Sequence, residues 1–169
     1  MTENQFWQLV TRQSADESQE SLCERLKLAL EPMDNDQLKA FDKWFGQKMR
    51  QAYTWPLWGA AYVVTGCDSD YGFAEFRSFL ISLGQEWFER IVANPDALAG
   101  LPGWPTVDGY AYPFIEDYDL IAGQIFEDRT QEELPFVPSG SVNPAGKQFS
   151  TRPKDLKANY PALCQLFPF

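Results

Sequence analysis

The sequence contains no histidine and only three cysteines among its 169 residues. Histidine is the commonest general base and metal ligand, and it activates the serine or cysteine of many nucleophilic enzymes, so those reaction classes are excluded. Cys23, Cys67 and Cys164 form no CxxC pair, which argues against a zinc site and against a secreted disulfide framework. We therefore expect neither a bound metal nor a cofactor.

Long hydrophobic runs are also missing from the sequence. None reaches the length that a membrane-spanning helix needs. The first residues, MTENQFWQLV, lack the order of basic then apolar residues that marks a signal peptide. We therefore expect a cytoplasmic protein that does not contact a membrane. The sequence indicates nothing about its oligomeric state.

Basic residues are scarce: 14 lysines and arginines stand against 24 aspartates and glutamates, which gives a net charge of −10. An acidic surface repels nucleic acid and attracts basic partners at long range. Residues 135–169 reverse this balance, with one acid and four bases, and they hold six of the 12 prolines. We predict a single domain over 1–169, in which this Pro-rich, basic segment packs on a helical body formed by 1–134.

Apolar residues at spacings of three and four predict helices through most of the first two thirds of the chain. Helix-start signals, in which Ser, Thr or Asp is followed three residues later by Glu or Gln, occur at Thr2, Ser14 and Asp34. Residues 55–65 are apolar all round, which predicts a central buried helix. We expect another long helix from about residue 70 to Ile91, and one over 115–134.

These patterns predict a mainly α fold, a bundle of about five or six helices. The C-terminal segment keeps large apolar residues such as Phe149, Tyr160 and Leu163 among its prolines, which is not typical of a disordered tail. We therefore predict that the segment forms an ordered but irregular wrap around the bundle, with one short helix near 157–166.

The stretch GCDSD, residues 66–70, joins two predicted helices, and its two aspartates resemble the start of a calcium loop. The pattern fails as an EF-hand because the twelfth position is Phe79, where a bidentate glutamate is required. Gly66 is instead suited to end one helix in a left-handed conformation, and Ser69 or Asp70 is suited to cap the next. We interpret the stretch as a structural corner.

Acidic residues concentrate in the predicted helix over 115–134. Acids at a helix start usually compensate the helix dipole, although a pair of carboxylates can also serve acid–base chemistry. The acids further along usually form a solvated face, which could also meet a basic partner. The candidate partner-binding residues are Glu116, Asp117, Asp119, Glu127, Asp128, Glu132 and Glu133.

The order of several short motifs resembles a bacterial family, domain-of-unknown-function family 4240, over about residues 5–134. The matching positions are Phe6-Trp7, Leu57-Trp58-Gly59-Ala60-Ala61-Tyr62, Gly66, Ser69-Asp70, Phe73, Phe76-Arg77, Leu80-Ile81, Gly84 and Pro95-Asp96-Ala97-Leu98. Phe79 departs from the tryptophan usual in the family. The resemblance implies no activity, but it draws attention to Arg77. This residue follows Asp70 by two helical turns and could pin the corner through a charge-assisted bond.

A soluble, acidic protein-binding module is the function that these features favour. Its most specific form is an immunity or antitoxin-like protein that neutralises a cationic bacterial toxin such as a nuclease. One alternative is a carboxylate-based or metal-dependent enzyme that uses Asp68 with Asp70, or the cluster at 116–119. The other is a regulatory domain that binds a peptide along its aromatic-rich loop, residues 104–112.

Overall fold

The computed structural model describes residues 1–135 and 143–169, and it confirms the predicted mainly α fold. The helices are α1 Glu3–Val10, α2 Gln19–Leu30, α3 Asn35–Gln51, α4 Trp55–Thr65, α5 Asp70–Ser82, α6 Gln85–Ala93, α7 Ile121–Thr130, α8 Pro153–Asn159 and α9 Pro161–Leu166. Two short 3₁₀ helices cover Pro95–Gly100 and Tyr118–Leu120, and a small antiparallel hairpin pairs β1 Thr106–Val107 with β2 Tyr110–Ala111. None of the helices in the described ranges is long and apolar enough to cross a membrane.

Two of the three predicted helix starts are confirmed. Thr2 and Asp34 cap α1 and α3, and each forms a reciprocal capping box with the glutamine three residues later. The start at Ser14 is wrong, because α2 begins at Gln19 with Ser18 as its cap. The carboxylate of Glu17, which would have completed the predicted box, instead forms an ion pair with Arg25 at 2.7 Å.

The long helix predicted from residue 70 to Ile91 is two helices. The break lies at Gly84, whose φ of 95° places it in the left-handed region that favours glycine. The end of α1 packs into this break: the Arg12 N–H donates to the Ser82 carbonyl at 2.7 Å. A Cβ added at Gly84 would lie 3.0 Å from the Thr11 side chain, so both the backbone angle and the close approach require glycine.

The helix predicted over 115–134 is also shorter in the structure. Asp117 has a φ of 60°, so the chain turns before the 3₁₀ helix, and α7 covers only Ile121–Thr130. Tyr118 is the anchor of this turn. Its ring is buried in the core, and its hydroxyl donates to the Val10 carbonyl at 2.7 Å. This long-range bond fixes the backbone at Tyr118. In a continuous helix the Tyr118 side chain would point in another direction.

The C-terminal segment from residue 143 packs on α4, the central helix of the core. Tyr160 lies against Gly59 of α4, and its hydroxyl donates to the Pro56 carbonyl at 2.7 Å. The backbone N–H groups of Ala162 and Leu163 both donate to the Asp96 carboxylate. The segment's basic residues are exposed, and within the described ranges none of them forms an ion pair with the body. Packing and hydrogen bonds, rather than opposite charge, therefore hold this segment.

The contact between Gly59 and Tyr160 leads to a stability prediction. A Cβ at residue 59 would lie 2.8 Å from the Tyr160 ring carbon Cζ, so Gly59→Ala must displace a buried, hydrogen-bonded ring. We expect this substitution to destabilise the fold by about 2 kcal/mol, despite the higher helix propensity of alanine. Equilibrium urea unfolding measures the change.

Gly46→Ala is the matched control for Gly59→Ala, because a Cβ there would make only an ordinary contact, 3.5 Å from the Arg50 side chain. In the interior of α3 the extra methyl should stabilise the protein by up to about 1 kcal/mol. Equal stability of the two variants would contradict the packing assigned to Tyr160.

Candidate binding cleft

A cleft of about 980 Å³ opens between α3, the start of α5, the 3₁₀ helix Tyr118–Leu120 and α7. Its lining combines charges of both signs. The carboxylates belong to Asp42, Asp70, Asp119, Glu127 and Glu133, and the guanidinium groups belong to Arg50 and Arg77. The lining therefore has more acidic than basic groups, although the two arginines make it a mixed site.

Helical spacing explains the wall that α3 contributes. Asp42, Gly46 and Arg50 follow one another at intervals of four, so they lie along one face of the helix. Gly46 has no side chain to fill the space between its two charged neighbours, which keeps the cleft open there. Phe45 and Met49 add apolar surface to the same wall.

The carboxylates of the cleft are free of ion pairs within the described residues. Three ion pairs occur there, Arg25 with Glu17, Lys48 with Glu3 and Arg90 with Glu86, and all of them lie outside the cleft. Asp70 has a hydrogen bond, since its carboxylate accepts from the Tyr53 hydroxyl at 3.0 Å. The cleft thus presents several carboxylates that form no ion pair within the described part of the fold.

Burial perturbs two of these carboxylates. It raises the pKa of Asp42, and the nearby charge of Asp119 raises that pKa further. The pKa of Asp119 is also raised, mainly because the surrounding atoms desolvate its carboxylate even though the residue as a whole is exposed. Asp117 adds to this rise, while Arg77 opposes it. A cation beside Asp42 would offset both the lost hydration of its carboxylate and the repulsion from Asp119.

Arg77 is a buried cation in the wall of the cleft, with only 9% of its surface exposed. The guanidinium carbon lies 4.5 Å from the ring centre of Tyr53 and 4.9 Å from that of Phe73, so the group is placed for cation–π contacts with both rings. One nitrogen, Nη1, donates to the Met49 carbonyl at 2.8 Å. The buried Nε has no hydrogen-bond partner, and burial lowers the pKa of the group.

The structure brings together residues that the sequence placed in two separate groups. Asp70 and Arg77, assigned to the corner, line the same cleft as Asp119, Glu127 and Glu133 from the acidic group. At the corner itself, Gly66 ends α4 with a φ of 75°, and Ser69 caps α5 by accepting from the Gly72 N–H at 3.0 Å. Arg77 bonds to the end of α3 rather than to the corner loop.

The other predicted acidic residues do not line the cleft. Glu116 accepts a hydrogen bond from the Tyr112 hydroxyl, and together with Asp117 and Asp119 it raises the pKa of Glu75 beyond the rise that burial causes. Asp128 and Glu132 are exposed outside the cleft, as is Asp68. The described residues contain no group of three acidic or cysteine side chains that could hold one metal ion.

Sequence reasoning missed Asp42 and Arg50. Both lie in α3, a helix that was predicted from the spacing of its apolar residues and from the start signal at Asp34. The available signal was the spacing of Asp42, Gly46 and Arg50 at intervals of four, which marks a second face with a small residue between two charges. That signal indicates a shared face but not what lies opposite it.

Comparison with known proteins identifies the family of the chain. A family model described as "Protein of unknown function (DUF4240)" matches residues 1–128, which include Asp42, Arg77 and Asp119. The search of curated proteins found no match, and neither did the search of solved structures. The resemblance inferred from the motifs is thus confirmed, and the chain belongs to this family of proteins of unknown function.

Proposed function

We propose that this protein is an acidic protein-binding module whose cleft receives basic side chains of a partner protein. The observation that carries the proposal is the set of carboxylates that face one cleft from α3, the 3₁₀ helix, α7 and the residues after α7 without ion-pair partners in the described ranges. Carboxylates left unpaired in a concave site are available to a ligand, whereas those paired within the fold are not.

The physical basis of this binding is electrostatic. A net charge of −10 steers basic partners towards the protein, and a concave acidic site concentrates the field where a lysine or arginine side chain can enter. At Asp42, burial and the nearby charge of Asp119 make the charged form costly, so an incoming cation offsets a penalty that already exists in the free protein. Affinity should therefore depend strongly on salt.

A bacterial toxin that binds nucleic acid, such as a nuclease, is the most specific partner class that we propose. The active surface of a nuclease presents lysine and arginine side chains suited to phosphate, and an acidic cleft is complementary to the same side chains. With those side chains bound in the cleft, the toxin could no longer bind nucleic acid. On this proposal the protein has an immunity or antitoxin-like role.

Two double variants separate the cleft from the acidic surface in general. Glu127 and Glu133 line the cleft, whereas their sequence neighbours Asp128 and Glu132 do not. We expect Glu127→Gln with Glu133→Gln to weaken binding of a fluorescent oligoarginine peptide about tenfold at low salt, since each lost charge contact is worth about 0.5–1 kcal/mol. Fluorescence anisotropy measures the affinity.

The matched control carries the same change of net charge in the same stretch of chain. Asp128→Asn with Glu132→Gln should leave the affinity for the oligoarginine peptide within about twofold of the parent protein, because neither residue faces the cleft. Equal weakening by the two double variants would mean that net charge alone attracts the peptide, and the cleft would lose its role. The two variants can then be compared on any partner recovered from cells.

A carboxylate held for binding should cost stability in the free protein. The pKa of Asp42 is raised in the folded protein, so the folded state favours the protonated carboxyl group. The stability that this preference contributes is present in acid and is lost as the pH rises through the folded-state pKa. We expect Asp42→Asn to raise the melting temperature at neutral pH, with an advantage that shrinks as the pH is lowered. Thermal unfolding followed by circular dichroism across this pH range measures the effect.

Asp36→Asn is the control for Asp42→Asn, because Asp36 lies exposed in the first turn of the same helix, where an acid favours the helix dipole. It should not raise the melting temperature at any pH. A lower melting temperature of Asp42→Asn at neutral pH would mean that the fold requires Asp42, and that its carboxylate is not held for a ligand.

A further inference from the structure

The structural contacts of Arg77 leave part of its guanidinium group without a partner. Its bond to the Met49 carbonyl and its contacts with Tyr53 and Phe73 pin α5 against the end of α3. A guanidinium group carries five N–H donors, however, and here Nε is buried without an acceptor. A buried charge is costly when no opposite charge or full set of hydrogen bonds accompanies it.

No carboxylate in the described residues forms an ion pair with Arg77, although Asp70 and Asp119 lie near enough to act on its charge. Nη2 of the same guanidinium has no hydrogen bond within the described residues and, unlike Nε, is not shielded from solvent. Since Arg77 lies in the wall of the cleft, an anionic group of a ligand can pair with the guanidinium there. A planar guanidinium is best matched by a carboxylate or a phosphate, each of which can accept two parallel hydrogen bonds.

The other charges of the cleft select between these two anions. Five carboxylates and two guanidinium groups line it, so a phosphate with up to two negative charges would meet strong repulsion. A carboxylate with a single negative charge, joined to a cationic group in the same molecule, satisfies both parts of the lining. The cation then faces Asp42 and Asp119 while the carboxylate reaches Arg77.

We propose that the cleft binds the C-terminus of a partner chain that ends in arginine or lysine, with the terminal α-carboxylate at Arg77 and the basic side chain at Asp42 and Asp119. This inference rests on the proposed function, because it takes the partner to be a protein that presents basic groups. The volume of about 980 Å³ is in the range of pockets that enclose a small ligand, so one such residue and its neighbour can enter.

Two short peptides test this inference without altering the protein. Both have the same uncharged residues followed by a final arginine and carry an acetylated N-terminus, but one ends in a free carboxylate and the other in an amide. We expect the free-acid peptide to bind about tenfold more tightly by isothermal titration calorimetry, since a charge-assisted contact is worth about 1.5 kcal/mol. The amide peptide keeps the cation and loses only the anion.

Two variants locate the source of that preference. Arg77→Lys keeps a positive charge but loses the planar donor group, so the free-acid advantage should fall to about twofold or less. Arg50→Gln removes the other cation of the cleft and should leave most of the advantage intact. A thermal melt of each variant establishes that it is folded, and the comparison of two peptides on one variant cancels any general loss of affinity.

The possible outcomes separate the two proposals. Equal binding of the acid and amide peptides, weakened in both cases by Glu127→Gln with Glu133→Gln, would overturn the carboxylate site and leave the proposed function intact. Binding of neither peptide would overturn the carboxylate site, and the oligoarginine measurement would then decide the proposed function independently. Free L-arginine that bound more tightly than the acid peptide would also overturn the inference, because the ligand would then be a small molecule.

Discussion

The burial of the Arg77 guanidinium against the rings of Tyr53 and Phe73 is the interaction on which the arrangement of the cleft depends. It joins the end of α3 to α5 through the Met49 carbonyl and the two rings. Tyr53 extends the connection, since its hydroxyl holds Asp70 and its carbonyl accepts from the Ala145 N–H of the C-terminal segment. Arg77 and Tyr53 together thereby link the pair α3 and α5, the corner at Asp70 and the C-terminal segment.

A row of aromatic rings in contact with one another runs from the C-terminal segment to the cleft. Phe149 packs on Trp55, Trp55 stacks on Trp58 at 5.2 Å, and Trp58 stacks on Phe73 at 4.9 Å. Phe73 in turn lies beside the Arg77 guanidinium. Stacked rings pack closely and have few alternative rotamers, so the position of the cation is set by contacts along the whole row.

The cleft contains charged groups whose placement costs stability in the free protein. The partly buried carboxylate of Asp42 and the buried guanidinium of Arg77, with an unpartnered nitrogen, lie in one concavity, although each would be less costly in water or in an ion pair. Proteins tolerate such local costs chiefly where a ligand offsets them. The family match covers α3, α5 and most of α7, so the main walls of the cleft lie within the region that defines the family.

The sequence by itself determined the helical class, the central α4 helix and the helix starts at Thr2 and Asp34, because capping bonds join groups only two or three residues apart. Tertiary structure alone decided the break at Gly84, the turn at Asp117 and the meeting of Asp42, Arg77 and Asp119 in one cleft. Each of these depends on contacts between distant parts of the chain, such as the Tyr118 hydroxyl with the Val10 carbonyl. Helical periodicity shows which residues share a face, but it does not show which face of another helix lies opposite.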